Sequence, residues 1–177
     1  YKTVVVLMSD LDALGKRLID LMNWVQDGGS VLFAMTPQKT TYFDAISPKL
    51  GVLSSSWEYK TAESIVPTEE FMLGGGQRYE FSDPFQSSLS VSLREEATVY
   101  ASTGDEDVPL VWGTKSGAGR VMVDNIGIYN KVLRGIYAAS YSLLCDAAAY
   151  PVINSSVFYL DDFPSPVPGG DGTYIRR

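Results

Sequence analysis

Apolar and polar positions follow two periods along this chain, and the change from one to the other marks its elements. Residues 1–8 hold a short continuous apolar run rich in Val, the pattern of a buried strand. Ser9 or Asp10 can cap the next segment, where Leu11, Leu14, Leu18, Leu21, Met22 and Val25 recur at three- and four-residue steps and form one helix face. Gly28 and Gly29 end that helix, and residues 30–35 read as a second buried strand. Strand, helix and strand in such close succession predict a βαβ unit with a right-handed crossover and a parallel pair.

The middle is less regular. Residues 42–50 read as a short helix ending near Gly51, and residues 57–66 alternate as an exposed or edge strand does. Residues 71–76 and the Asp83-Pro84 pair are turn-rich, with short strands over residues 89–93 and 98–101. Residues 108–112 and 119–124 flank a glycine-bearing loop, which predicts a β-hairpin. A last helix is expected over residues 131–149, capped by Asn130, with Val132, Leu133, Ile136, Tyr137, Leu143 and Leu144 as its apolar residues and Pro151 as its stop. Continuous apolar strands need cover on both sides, so this helix and the first should lie against one sheet.

Composition narrows the function classes. With 45% hydrophobic and 20% charged residues the chain is an ordinary globular one. Its 21 acids against 14 bases give a net charge of -7, which argues against a nucleic-acid partner, because phosphate binding needs clustered Lys and Arg. No apolar stretch is long enough to form a membrane-spanning segment. Histidine is absent and Cys145 is the single cysteine, which removes Ser-His-Asp and Cys-His triads, histidine-ligated metals and internal disulfides from this chain. Cys145 sits among Leu143, Leu144 and Ala147 with no neighbouring base, the setting of a buried structural thiol in a helix.

Residues 1–35, with Gly28-Gly29 between two strands, and the hairpin with Pro109 to Trp112 and Gly117 to Val123 resemble class I glutamine-amidotransferase-like domains. The expected architecture for residues 1–150 is therefore α/β, Rossmann-like or flavodoxin-like, with a largely parallel sheet, helices on both faces and a β-hairpin near its C-terminal part. In active members of that family the strand after the Gly-Gly turn leads to a cysteine on a tight elbow. Here the corresponding place reads Phe33, Ala34, Met35, Thr36, Pro37, so the resemblance implies a domain without amidotransferase chemistry.

Residues 151–177 read as a linker and the start of a second unit. The run from Phe158 through Tyr159, Leu160, Asp161, Asp162 and Phe163 to Pro164 is similar to the first motif of polysaccharide deacetylases of the NodB homology type. That resemblance implies Asp161 as general base and Asp162 as ligand of a divalent metal in the full-length protein, with the completing histidines beyond Arg177. Phe163 departs from the motif, which usually has glycine there. The joined arrangement resembles an uncharacterised family of large bacterial proteins, reminiscent of secreted polysaccharide-modifying ones, and implies an extracytoplasmic location, a downstream domain as partner and polysaccharide as substrate.

From the residues alone, Asp161 and Asp162 also read as solvated carboxylates at a strand end, and the Gly74 to Gly76 and Gly117 to Gly119 stretches as turns. Trp24 and Trp112 are expected in the core. Trp57 and Tyr59, two apart on one strand face, are the candidates for carbohydrate or partner contact. Three functions follow: a non-catalytic module supporting a deacetylase-like domain, a metal-dependent hydrolase using Asp161 and Asp162 with other acids such as Asp124, or a carbohydrate- or protein-binding module. No cofactor is expected in this chain itself.

Overall fold

The computed structural model describes residues 2–128 and 130–147. Strand β1 (Thr3–Val6) leads through a 3₁₀ turn (Leu11–Leu14) into α1 (Lys16–Gln26), and β2 (Ser30–Phe33) follows. Asp10 caps the turn with its side chain, as the polar-to-apolar switch predicts. The expected single helix is broken at Gly15, whose φ of 52° is accessible to glycine at little cost. The chain continues through α2 (Thr41–Ile46), a 3₁₀ turn (Ser47–Leu50), β3 (Val52–Pro67), β4 (Tyr79–Leu93), β5 (Thr98–Ser102), β6 (Pro109–Ser116), β7 (Gly119–Asp124), a 3₁₀ turn (Lys131–Leu133) and α3 (Arg134–Leu143).

All strands among the described residues belong to one seven-stranded sheet in the order β1-β2-β7-β6-β5-β3-β4. β1 pairs with β2 and β2 with β7 in parallel, with Val4 opposite Val31 and Val31 opposite Val121. The βαβ unit is thus as the pattern predicts. The remaining pairings, β7 with β6, β6 with β5, β5 with β3 and β3 with β4, are all antiparallel. This overturns the expectation of a largely parallel Rossmann-like sheet with helices on both faces: the sheet is mixed and mostly antiparallel, and three short α-helices accompany it. The physical cause lies in the connections. Beyond β2, most links between paired strands are too short to hold a crossover helix, and a short link permits only an antiparallel neighbour.

Alternation across β7 divides the core. Val121 and Val123 meet Leu18, Met22 and Val25 of α1, whereas Met122 faces Leu133 and Leu144 beside α3. Trp112 is fully buried and donates its indole N–H to the Leu50 carbonyl at 2.9 Å, and Trp24 packs partly buried against the same core. β4 pairs with β3 along most of its length, whereas β5 meets β3 only at Val66 and Pro67, so residues 57–65 have the expected edge character. One further expectation is corrected. The last helix ends at Leu143, six residues short of the predicted stop at 149, after a first turn in 3₁₀ geometry capped by Asn130.

Candidate functional site

The loops that follow the parallel strands open on one side of the sheet. Ser9 lies after β1, Thr36, Gln38, Lys39 and Thr40 after β2 and Gly127 after β7; with Trp57 and Tyr59 of β3 and Ser87 of β4 they line a cleft of about 490 Å³. Loops carried on a rigid sheet are where binding residues concentrate, because the backbone there leaves the ladder and presents side chains to solvent.

Trp57 is 72% exposed at this cleft and Tyr59 40%. The structure brings the two candidate residues to one place and pins them to the β2 loop. The Lys39 backbone N–H donates to the Tyr59 hydroxyl at 3.2 Å, and the Lys39 ammonium stands 5.3 Å from the Trp57 ring centroid, a cation–π distance. That ammonium donates to Asp44 Oδ1 at 3.1 Å, to Ser55 Oγ at 2.8 Å and to the Ser55 carbonyl at 3.3 Å. At the floor, the Thr36 backbone N–H donates to the Ile126 carbonyl, tying the β2 loop to the β7 loop. The Thr36 side chain is 3% exposed, and its Oγ1 has no hydrogen-bond partner among the described residues. Gly127 fits because a Cβ there would collide with Ser87 Oγ. Among the described residues no carboxylate and no cysteine lines the cleft.

The remaining candidates fall elsewhere. Asp161 and Asp162 lie outside the described residues. Asp124 is fully buried at the end of β7, where it accepts a 2.6 Å hydrogen bond from Ser140 of α3, and burial pushes its pKa up to about 7 against the lowering effect of that bond. No cluster of three or more metal-capable side chains occurs among the described residues. Cys145 corrects its expectation: it lies past the end of α3, half-buried, on a second cleft at the opposite end of the parallel strands beside Lys2, Ser30 and Arg120. The apolar pattern of 143–147 had implied a continuing helix, but the chain turns at Leu144 and takes the thiol out of the packing face.

Thr36, Gln38 and Lys39 were not legible as site residues, since a five-residue polar loop carries no periodicity. The available signal was positional: they follow a buried strand that follows a Gly-Gly turn.

A mixed sheet with a hydroxyl-lined cleft at its parallel end therefore defines the class. Residues 1–92 and 81–177 match the family described as uncharacterised protein conserved in bacteria (DUF2194), and the chain belongs to that family. No curated protein matches it by sequence. Among solved structures, a cytoplasmic protein from Salmonella typhimurium superposes with a TM-score of 0.58 at 11% identity, over 81% of this chain and 72% of that one. An exo-β-1,4-mannosidase from Opitutaceae bacterium strain TAV5 gives 0.51 at 20% identity, and a β-galactosidase from Rahnella sp. R3 gives 0.55 at 19%, each over 81% of this chain. The chain spans 25% of the mannosidase and 22% of the β-galactosidase. At these identities the likeness is one of fold alone. No helix among the described residues is long and apolar enough to cross a membrane.

Proposed function

We propose that the described residues form a non-catalytic, carbohydrate-contacting module of a larger bacterial protein, in support of a metal-dependent polysaccharide deacetylase-like domain that begins near residue 157. The observation that carries the contact is Trp57, an exposed indole beside a cleft of hydroxyls and an amide. A pyranose has one face of C–H groups and a rim of hydroxyls, and an aromatic surface flanked by hydrogen-bonding groups is complementary to both. Lack of catalysis in the cleft is supported by its side chains. Glycoside hydrolysis needs a carboxylate pair and acyl transfer an activated nucleophile, and among the described residues neither lines it. The mannosidase and β-galactosidase whose domains share this fold act on carbohydrates by name, which agrees with the reading.

Titration of the protein with a panel of neutral and acidic oligosaccharides, followed by tryptophan fluorescence and calorimetry, should show binding that Trp57→Ala weakens by about tenfold, the scale of one lost aromatic contact. Silence across the panel, or unchanged affinity in the variant, would overturn the contact. For the downstream domain, the full-length protein should release acetate from an acetylated polysaccharide only with a divalent metal bound, and Asp162→Ala should abolish that release. Undiminished activity in that variant would remove Asp162 from the metal site.

A further inference from the structure

The polar groups of the cleft also specify the kind of sugar. Resting on the saccharide reading above, we infer that the cleft takes a neutral, hydroxyl-rich sugar unit, and that the buried hydroxyl of Thr36 fixes its orientation.

The first step concerns charge. Among the described residues Lys39 is the single cation lining the cleft, and an acidic sugar would need it. An ammonium has three N–H donors, and those of Lys39 are taken by Asp44 Oδ1, Ser55 Oγ and the Ser55 carbonyl. The Lys39 side chain is only 12% exposed, with Trp57 over it, so a ligand carboxylate would have to displace its partners to reach it. Its charge is already balanced by Asp44, and the net charge of -7 opposes a polyanion at longer range. Among the described residues no acid lines the cleft either, which removes the partner that a cationic amino sugar would need.

The second step concerns Thr36. A buried hydroxyl without a partner is unfavourable, and structures keep such groups rarely. Thr36 lies in the loop after β2, held by its backbone bond to Ile126, and lines the same cleft as Tyr59 and Trp57. Oγ1 itself is closed to solvent in this structure, so it meets a ligand when the Thr36 side chain turns toward the cleft; a sugar hydroxyl can then both donate to Oγ1 and accept from it, which satisfies the orphan group and fixes the stacked ring in one rotation. The neighbouring groups, Ser9, Gln38 and Ser87, are likewise neutral donors and acceptors suited to a hydroxyl rim.

The test uses calorimetric titration of the whole chain with neutral manno-, gluco- and N-acetylchito-oligosaccharides and with oligogalacturonate and oligomannuronate, at low and at high salt. The expected result is binding confined to the neutral compounds, with affinity constant within twofold across salt. Thr36→Val, which keeps the shape and removes the hydroxyl, should weaken that binding about tenfold while leaving the melting temperature equal or higher. Thr36→Ser should stay within about threefold of the parent. Tighter binding of an acidic compound, or Thr36→Val binding as well as the parent while Trp57→Ala does not, would overturn this inference and leave the saccharide reading standing. Failure of every compound to bind would overturn both.

Discussion

Replacing Asn125 by alanine should cost about 3–5 kcal/mol of stability, a large share of the 5–15 kcal/mol that holds an ordinary domain folded. Asn125 is fully buried just after β7. Its Oδ1 accepts the Leu89 N–H at 2.8 Å, while its Nδ2 donates to the Leu89 carbonyl at 2.9 Å and to the Pro109 carbonyl at 2.8 Å. The side-chain amide thus does what a strand backbone would do, joining the edge strand β4 to β6 across a gap that no ladder fills. Alanine would leave those three backbone groups buried and unpaired, at about 1–3 kcal/mol each before relaxation and with less than full additivity. Urea unfolding should show a lower midpoint with an unchanged slope, and the melting temperature should fall by roughly 10 °C for a chain of this size. Asn125→Asp should be at least as harmful, because it sets an acceptor against two carbonyls. A loss below about 1 kcal/mol in the alanine variant would show that β4 is held by its pairing with β3 alone.

Asn125 also shows where a single sequence stops being readable. Nothing in the pattern around it distinguishes a loop asparagine from one that stands in for a strand, because its three partners are 36 and 16 residues away. The elements that were legible are those whose signals are local. β1, α1 and β2 follow from two apolar runs and one helix face, and β2 is buried at all four positions. β1 departs from the buried expectation, with Val5 47% exposed, because it forms the sheet edge. The hairpin was located, but its loop was drawn too long. Gly113 to Ser116 look like turn residues yet extend β6, and the turn itself is Gly117 and Ala118, with Gly117 at a φ of 61°. β3 and β4 were the least legible. Their pairing shifts register at four places, and each bulge moves the following side chains to the other face, which erases the alternation that marks a strand. Serines at 54, 55, 56, 82, 87, 88, 90 and 92 deepen the effect. Trp57 and Tyr59 could be singled out because two aromatics on a polar strand need no long-range information, whereas Thr36 and Lys39 acquire their setting only when the β2 loop meets β3 and β7.

The chain should also become less stable as pH rises from about 4 to about 7, the opposite of an acid-sensitive protein, and Asp124 is the cause. Burial disfavours its charged form and pushes its pKa up to about 7 from 3.8, and the bond donated by Ser140 offsets only part of this. A folded state with the higher pKa binds the proton more tightly than the unfolded chain. Its stabilising effect is therefore complete below about pH 4, declines as pH climbs towards 7 and is absent above. Between pH 5 and pH 8 the loss should be roughly 2–3 kcal/mol. The chain has no histidine to titrate across that range, and the exposed Asp105 and Asp146 are held below the usual carboxylate range, the first by a hydrogen bond from Arg78 and the second by bonds from Lys2 and Arg120. Asp124→Asn keeps the shape and abolishes the titration, so its urea midpoint should stay flat from pH 5 to pH 8. At pH 8 it should exceed the parent by about 1–3 kcal/mol, less than the full cost of ionisation because the Oδ2 position has no partner among the described residues and an amide placed there goes unpaired. Equal stability of the parent at pH 5 and pH 8 would mean that Asp124 ionises without penalty, through water reaching the base of α3, and that the contact between β7 and α3 is looser than its 2.6 Å hydrogen bond implies.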